Sequence, residues 1–299
     1  MSLIIVLPNI IWQIHHEFPL LKHLQALKDN QLNNTNFMAF GLEQLNYPFT
    51  LIISLFGLIT LLVWKRFRKY RVIGIATLVI FITMWLLRSK AYYVFAIYPV
   101  LFASGSVVIA SLLKKKPISF YVVAALTFMP SVYFIPELTP ILPIETYVKY
   151  AGLTEKKGRY KLKGDYADMF GWNEQVALID SVYQTLSPNE QKNCVIWAEN
   201  YGEAGALKIL GKKYQLPNPI SRHGSFWLWG FDSKEALVWI SLGNEKPSVE
   251  HVFEEVELVK IIKHKYAIDE ENEIPLYICR NPKIDIENWW QAYKDHVFD

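Results

Sequence analysis

Four long stretches of the chain carry no charged side chain, and this feature constrains the fold more than any other. They are Tyr47–Trp64, Val72–Leu87, Ala91–Leu113 and Pro117–Ile135. Each is close to the roughly 20 residues that a helix needs to cross the hydrocarbon core of a bilayer. The carboxylates, by contrast, lie mostly after Pro136. The sequence therefore predicts a membrane α-helical bundle over residues 1–136 and a soluble α/β domain over residues 137–299.

Two basic clusters separate the apolar stretches and predict how the bundle is oriented. They are Lys65–Arg71 and Lys114–Lys116. Because basic loops stay in the cytoplasm, residues 137–299 are expected on the opposite side of the membrane. The same clusters account for the net charge of +3 as membrane anchors, so no nucleic-acid partner is predicted.

The first residues are apolar but do not form a complete span. Met1–Ile14 contains Pro8 and lacks a basic n-region and a small-residue cleavage site, so a signal peptide is not expected. It is either a re-entrant segment or the outer end of a helix whose beginning is absent. The predicted orientation favours the second alternative, so the chain is expected to be truncated, with about four spans and an N-terminal partial span.

An external segment, residues 15–46, is expected between the partial span and the first full span. Its leucines recur at helical spacing, with polar side chains between them. This pattern predicts a short amphipathic helix in the membrane interface. The leucines are Leu20, Leu21, Leu24 and Leu27.

Helix and strand signals alternate after residue 137, which predicts the α/β class. Helices are expected at Glu174–Leu186, Gly202–Leu210 and Val249–Phe253, and strands at Cys194–Ala198, Ala236–Ser241 and Leu276–Cys279. The only two cysteines, Cys194 and Cys279, fall in two of these strands. A disulfide is chemically permitted in an exported domain, but two buried thiols are the favoured alternative. The spacing of cysteines and histidines predicts no metal site.

The corner Arg88–Tyr93 is the first candidate site. Arg88 and Lys90 place two cations on the external side, against the positive-inside pattern. Together with the hydroxyls of Tyr92 and Tyr93 they could bind the phosphate of a lipid. The alternative is that both cations only snorkel to headgroups at a helix end.

Three further segments bring polar or aromatic groups together. Asn9–Phe18 holds His15, His16 and Glu17, which either serve acid–base chemistry or form a polar helix start. Asn200–Ala206 is either an anion site at a helix N-terminus or a tight strand-to-helix turn. Ser221–Gly230 is rich in aromatic residues that either stack on sugar rings or pack the soluble domain against the membrane half.

Several of these segments, taken in order, resemble a known family. The residues are Pro8-Asn9, Trp12-Gln13, His16-Glu17-Phe18-Pro19, Lys90-Ala91-Tyr92-Tyr93, Tyr98-Pro99, Gly164–Trp172, Glu199–Ala206 and Phe226–Gly230. Together they resemble the later membrane helices and the tail of bacterial family-39 glycosyltransferases. These are relatives of the dolichyl-phosphate-mannose protein mannosyltransferases and the aminoarabinose transferases.

The resemblance implies a transferase of the GT-C type in the bacterial inner membrane, multi-pass, with an extracytoplasmic C-terminal domain. Such enzymes move a sugar from a polyprenyl-phosphate donor to an envelope acceptor, which is a lipid, a glycan or a protein. Lys90, Tyr92 and Tyr93 would then lie near the donor phosphate. Arg88 and His16 are the next candidates for binding it. No cofactor is identified, and the need for a divalent metal ion stays open.

One departure from the family pattern bears directly on activity. The family's catalytic carboxylates lie in the first external loop, which has no counterpart here. Glu17, Asp29 and Glu43 do not form the paired acidic motif, and glycosyl transfer needs a carboxylate to activate the acceptor. The chain is therefore expected to be inactive alone. The alternative is a non-catalytic, membrane-anchored envelope protein that binds a glycan or a protein.

Overall fold

The fold is that of a computed structural model, which describes residues 2–30, 37–45, 48–230, 236 and 238–294. The chain divides into two compact units, Met1–Ile141 and Leu142–Asp299. We call them the helical unit and the α/β unit. The division falls a few residues beyond the boundary predicted at residue 136.

Seven α-helices make up the described part of the helical unit. They are α1 (Ser2–His15), α2 (Pro19–Asn30), α3 (Phe37–Leu45), α4 (Pro48–Val63), α5 (Arg71–Leu86), α6 (Tyr98–Leu112) and α7 (Pro117–Leu138). Short 3-10 helices, Lys65–Tyr70 and Ala91–Ile97, lead into α5 and α6. The predicted amphipathic helix is α2, because its leucines recur at helical spacing between polar residues.

Within the described residues, three helical segments are long and apolar enough to cross a membrane, which indicates a membrane protein. They are Lys65–Leu86, Ala91–Leu112 and Pro117–Leu138. The predicted span Tyr47–Trp64 corresponds to α4, which has 16 residues and is therefore about 24 Å long. Three of the four predicted spans are thus confirmed at the required length, and α4 is shorter than a typical span.

Helices α4 and α6 pack through small residues. A Cβ atom at Gly57 of α4 would overlap the carbonyl oxygen of Leu101, and one at Gly105 of α6 would overlap the carbonyl oxygen of Ile53. Both glycines let the helix backbones approach to direct contact, as small residues do in membrane helix pairs. This contact holds the centre of the helical unit.

The α/β unit contains one five-stranded mixed sheet. Its strands are β1 (Cys194–Ala198), β2 (Pro219–Ile220), β3 (Val238–Leu242), β4 (Phe253–Ile262) and β5 (Ile274–Pro282). The order is β2-β1-β3-β5-β4. Strand β1 is parallel to β2 and β3, whereas β5 is antiparallel to β3 and β4.

Eight helices accompany the sheet in the described part of this unit. They are α8 (Ile144–Tyr150), α9 (Gly164–Ala167), α10 (Trp172–Tyr183), α11 (Pro188–Lys192), α12 (Tyr201–Leu210), α13 (Ser225–Trp229), α14 (Lys246–Val252) and α15 (Ile286–Ala292). The sequence therefore located α10, α12 and α14 and strands β1, β3 and β5. It did not locate the two remaining strands, β2 and β4, or the other five helices of this unit. Strand β4 escaped prediction because it is an edge strand whose side chains are mostly exposed and often charged.

Each face of the sheet covers its own core. On one face, aliphatic residues of β1, β3 and β5 pack against α10 and α12. On the other face, four tryptophans and Phe253 pack between the sheet, α14 and α15. The tryptophans are Trp197, Trp239, Trp289 and Trp290. A third cluster contains Tyr147 of α8 and Tyr166 of α9, whose rings stack 4.2 Å apart.

The cysteine pair is resolved in favour of two free, buried thiols. Strand β3 lies between β1 and β5, so Cys194 and Cys279 are two strands apart, about 10 Å at the usual strand spacing. Cys194 pairs with Val238 whereas Cys279 pairs with Trp239, the next residue along β3. The two thiols therefore lie on opposite faces of the sheet and cannot form a disulfide. Burial raises the pKa of each thiol to about 12.

Candidate functional site

The corner between α5 and α6 presents two tyrosines outward. Arg88 adopts a left-handed conformation (φ 53°) that ends α5, and its backbone N–H donates to the carbonyl of Trp85 at 3.0 Å. The 3-10 helix then begins, with Ala91 and Val94 buried. Because these two buried residues are three positions apart, the residues between them face outward. Tyr92 and Tyr93 are accordingly 54% and 46% exposed, with their rings edge-to-face at 4.8 Å.

A buried glutamine on α3 supports this corner. The side-chain amide of Gln44 donates to the carbonyl oxygens of Ala91 and Phe40, both at 3.3 Å. Its carbonyl oxygen accepts a hydrogen bond from the hydroxyl of Tyr98 at 2.5 Å. Phe40 also packs edge-on against Phe81 of α5, with ring centroids 5.3 Å apart. Gln44 therefore links α3, the corner and α6, and it fixes the backbone that carries the two tyrosines.

The sequence analysis missed Gln44. The signal was weak, since Gln44 lies beside Glu43 near the end of the mainly apolar segment Phe37–Leu45. A buried amide of this kind needs partners for both its donor and its acceptor atoms. Only the folded structure shows that the partners come from the corner and from α6.

An apolar cavity of about 230 Å³ lies beside the corner, between α4, α5 and α6. Gln44, Val94, Ile97 and Tyr98 form the part of its wall that belongs to the corner and its support. The remaining wall is mainly aliphatic, with side chains such as Leu58 of α4. The cavity is therefore lined by the segment that directly follows the corner, from Val94 to Tyr98.

His16, the fifth predicted phosphate-binding residue, lies in the turn between α1 and α2. Its ring stacks on Trp12 with centroids 4.6 Å apart, and its Nδ1 donates to the carbonyl oxygen of Trp12 at 3.0 Å. Glu17, in the same turn, forms an ion pair with Lys22 at 3.1 Å. In the described part of the chain, no hydrogen bond or ring contact joins His16 to Lys90 or the two tyrosines. The role of His16 stays a prediction from the resemblance.

The segment Asn200–Ala206 forms a tight turn from β1 into α12. The side-chain oxygen of Asn200 accepts hydrogen bonds from the backbone N–H groups of Gly202 and Glu203, at 2.8 and 3.0 Å. In return, the Glu203 carboxylate accepts from the backbone N–H groups of Glu199 and Asn200. This reciprocal arrangement is a capping box. It supports the tight-turn alternative, because these groups satisfy one another.

Two carboxyl groups are buried at this turn. The Glu203 carboxyl lies against Gly243, which has a positive φ (77°) and no space for a Cβ atom. Glu271 accepts hydrogen bonds from Asn200 at 3.0 Å and from Gln175 at 3.2 Å. Burial raises the pKa of Glu203 well above its ordinary value, and burial also raises the pKa of Glu271. Glu271 therefore links α10 to the turn that follows β1, and Glu203 holds the same turn against Gly243. Both carboxyls lie inside the unit rather than in an open site.

The aromatic residues of the segment Ser221–Gly230 differ in how far they are buried. Phe226 and Trp227 pack against the two faces of the sheet, and the indole N–H of Trp227 donates to the carbonyl of Trp290 at 3.0 Å. Trp229 is different, because 61% of it is exposed. The Lys208 ammonium lies 3.9 Å from its ring centroid. Internal packing thus explains most of this segment, and Trp229 is the aromatic residue that remains accessible.

The described residues contain no group of three or more His, Cys, Asp or Glu side chains placed to hold a metal ion. Comparison with protein-family models, with curated proteins and with solved structures finds no match to this chain. Function is therefore inferred from the geometry of the two units.

Proposed function

We propose that the helical unit binds a polyprenyl-phosphate-sugar and that the chain is the C-terminal part of an integral-membrane glycosyltransferase. The observation that carries this proposal is the junction of the corner and the cavity through one segment, Ala91–Tyr98. A polar corner that continues into an apolar cavity matches a ligand with a charged head and an apolar chain.

The corner supplies the chemistry for the phosphate. Lys90 offers a point charge, and Arg88 offers a planar fork that can donate two parallel hydrogen bonds. The outward-facing hydroxyls of Tyr92 and Tyr93, whose side chains also interact with each other, can add a further donor. Phosphate oxygens can accept hydrogen bonds from groups of each of these kinds. These side chains are half-buried or exposed, so the phosphate would be reached from outside the helical unit.

The cavity supplies the environment for the chain of the lipid. Its wall is formed mainly by aliphatic side chains of α4, α5 and α6. Isoprenoid units have no hydrogen-bonding groups and therefore fit such a wall. The volume of about 230 Å³ accommodates the first part of the prenyl chain, and the remainder would extend into lipid.

Glycosyl transfer also needs a carboxylate that activates the acceptor. Glu17 is held by Lys22, and Glu43 is exposed beside Gln44 on α3. We propose that neither acts as the catalytic base and that transfer requires a carboxylate from another polypeptide segment. The sugar would be transferred to a lipid, glycan or protein acceptor outside the bacterial inner membrane, on the same side as the α/β unit.

Binding of farnesyl phosphate and farnesol to the full chain in phosphatidylcholine nanodiscs tests this proposal. Lys90→Gln should weaken farnesyl phosphate binding by about 10- to 100-fold, since a hydrogen bond to a charged group contributes about 1.5–3 kcal/mol. It should leave farnesol binding unchanged. Leu58→Trp, which fills the cavity, should weaken the binding of both ligands.

Lys116→Gln is the matched control, because Lys116 is also a lysine at a helix end. An equal loss in the Lys116 and Lys90 variants would mean that both lysines only snorkel to headgroups. Unchanged binding in the Leu58 variant would show that the lipid chain does not occupy the cavity. Either result would contradict the proposal.

Trp229 favours a second candidate function, a non-catalytic envelope protein that binds a glycan. An exposed indole offers a flat face on which a sugar ring can stack. Tyr201, which is also exposed, provides the control. If this candidate is right, Trp229→Ala should abolish the binding of soluble envelope oligosaccharides while Tyr201→Ala preserves it, and farnesyl phosphate should not bind.

A further inference from the structure

A second concave surface lies in the α/β unit, far along the chain from the corner. It has a volume of about 630 Å³ and lies between the loop that follows α8 and the segment that precedes β5. We call it the basic groove. Its charged lining residues are Lys156, Lys157, Arg159, Lys161, Asp269 and Glu270. Neither the capping box nor the aromatic segment contributes to it.

A tight turn shapes one wall of the basic groove. The backbone groups of Lys156 and Arg159 exchange two hydrogen bonds, at 2.8 and 3.1 Å. Lys157 and Gly158 between them have positive φ angles of 52° and 80°. This is the geometry of a two-residue hairpin turn. The turn places three basic side chains within four residues of one another and holds their backbone in a fixed conformation.

Arg159 has a structural role in the basic groove. Its guanidinium forms an ion pair with Asp269 at 2.8 Å and donates to the carbonyl oxygen of Ala267 at 3.0 Å. These contacts join the turn to the opposite wall. Arg159 therefore keeps the two walls together and neutralises Asp269.

The remaining charges of the groove do not balance. Lys156, Lys157 and Lys161 are exposed and form no ion pair within the described residues. Once Asp269 is neutralised by Arg159, these three lysines face one carboxylate, Glu270. A concave surface with unpaired cations attracts anions, and its electrostatic field is stronger than that of a flat surface with the same charges.

We propose that the basic groove binds an anion that carries phosphate groups. Lysine ammonium groups bind phosphate oxygens as point charges, and three of them around one groove match a group with several negative charges. The ligand is either a free phosphate compound or a phosphorylated lipid headgroup, which share this chemistry. The proposal does not depend on the corner at Arg88–Tyr93.

Inorganic pyrophosphate is the probe for the first source, with the full chain held in phosphatidylcholine nanodiscs. Calorimetry should detect binding that weakens as salt is raised, because exposed charges are screened. The triple variant Lys156→Gln, Lys157→Gln, Lys161→Gln should lose about tenfold in affinity, because each exposed charge pair contributes only a small part of the binding free energy. The triple Lys→Arg variant should retain the affinity.

Hydrogen exchange of the peptide 152–161 distinguishes the two sources. Protection by pyrophosphate alone assigns the groove to free phosphate compounds. Protection in phosphatidylglycerol nanodiscs without pyrophosphate assigns it to lipid headgroups, and both outcomes support the proposal.

Lys212→Gln, Lys213→Gln is the control variant, because these lysines are exposed elsewhere in the α/β unit. An equal loss in this control would show non-specific charge attraction and overturn the proposal. So would the absence of both binding and protection. A Lys90→Gln variant should bind pyrophosphate normally, so failure of the basic groove and failure of the corner are separate results.

Discussion

The helical unit and the α/β unit place their large apolar residues differently. In the α/β unit most of them are buried, such as Trp197, which is 1% exposed. In the helical unit some are buried, such as Phe40, but many face outward, such as Phe128 of α7, which is 74% exposed. The close helix contact in that unit is made instead by Gly57 and Gly105. Apolar residues inside indicate water as the solvent, and apolar residues outside indicate lipid.

Apart from Gln44, which joins α3 to the corner and to α6, the polar groups of the two units also differ. In the helical unit, hydroxyls such as those of Thr60 and Thr127 donate to carbonyl oxygens one turn back in their own helix, at 2.6 and 2.8 Å. In the α/β unit, Glu203 and Glu271 form a network that joins separate elements. A bilayer tolerates polar groups that are satisfied within their own helix. The chain therefore satisfies its polar groups in two ways, one suited to lipid and one suited to water.

The largest expected effect is the loss of a buried tryptophan. Trp197→Ala should destabilise the α/β unit by about 3–5 kcal/mol, because it leaves a cavity among Trp239, Trp289 and the sheet. Phe128→Ala should reduce the stability far less, since the Phe128 side chain faces outward on α7. Urea unfolding of the full chain, followed by tryptophan fluorescence and by hydrogen exchange of each unit, measures both effects.

A similar loss of stability in both variants would contradict the difference between the two units, because it would require Phe128 to be buried. Seven of the ten tryptophans lie after residue 141, so the fluorescence signal mainly reports on the α/β unit.

An intermediate effect is expected where the helices touch. Gly57→Ala should destabilise the helical unit by about 1–3 kcal/mol, because the new methyl group overlaps the carbonyl of Leu101 and forces α4 and α6 apart. Gly41→Ala on α3 is the control, since nothing lies within 4 Å of its Cβ position. Thermal stability in detergent, compared between the two variants, measures the difference. Equal stability would show that α4 and α6 are not in backbone contact.

A smaller effect is expected from pH on the α/β unit. The folded-state pKa values of Glu203 and Glu271 are raised above the value of about 4.3 for an unfolded glutamate. The folded state therefore binds more protons above that pH, and the free energy of unfolding should fall as the pH rises from about 4.3 through the raised values. Glu271→Gln should flatten this dependence, measured by urea unfolding between about pH 5 and 7.

Glu190 does not interfere in that range. Hydrogen bonds from the Ser187 backbone and from Arg280 lower its pKa to about 2, so it stays ionised. A slope that persists in the Glu271→Gln, Glu203→Gln double variant would show that other groups cause the pH dependence.

The sequence predicted the class of each unit because each class has a strong local signal. The apolar stretches have the length of a membrane span, and β1, β3 and the middle of β5 are short apolar runs. Strand β4 has no such signal, because an edge strand exposes most of its side chains. The corner was predicted from charges that break the positive-inside pattern. Its support by Gln44 was not, because that contact joins residues 47 positions apart.

The basic groove illustrates the same limit. Lys156, Lys157 and Arg159 are close in sequence, but the opposite wall comes from residues near Asp269, more than 100 positions later. No pattern in the sequence pairs these segments. For the cysteines the sequence favoured two buried thiols, which the structure confirms. The reason could not be read from the sequence, because the strand order that separates Cys194 from Cys279 is a property of the whole sheet.

The central claim is that the helical unit faces lipid and the α/β unit faces water. Its most direct test compares two positions of similar exposure. Phe128 on α7 is 74% exposed and Ile209 on α12 is 69% exposed. Each is replaced by cysteine and spin-labelled in the full chain in nanodiscs; Cys194 and Cys279 should stay unlabelled because they are buried, with pKa values raised to about 12. The account predicts that the label at residue 128 collides with oxygen and the label at residue 209 with a water-soluble nickel chelate. Collision of both labels with the nickel chelate would contradict it.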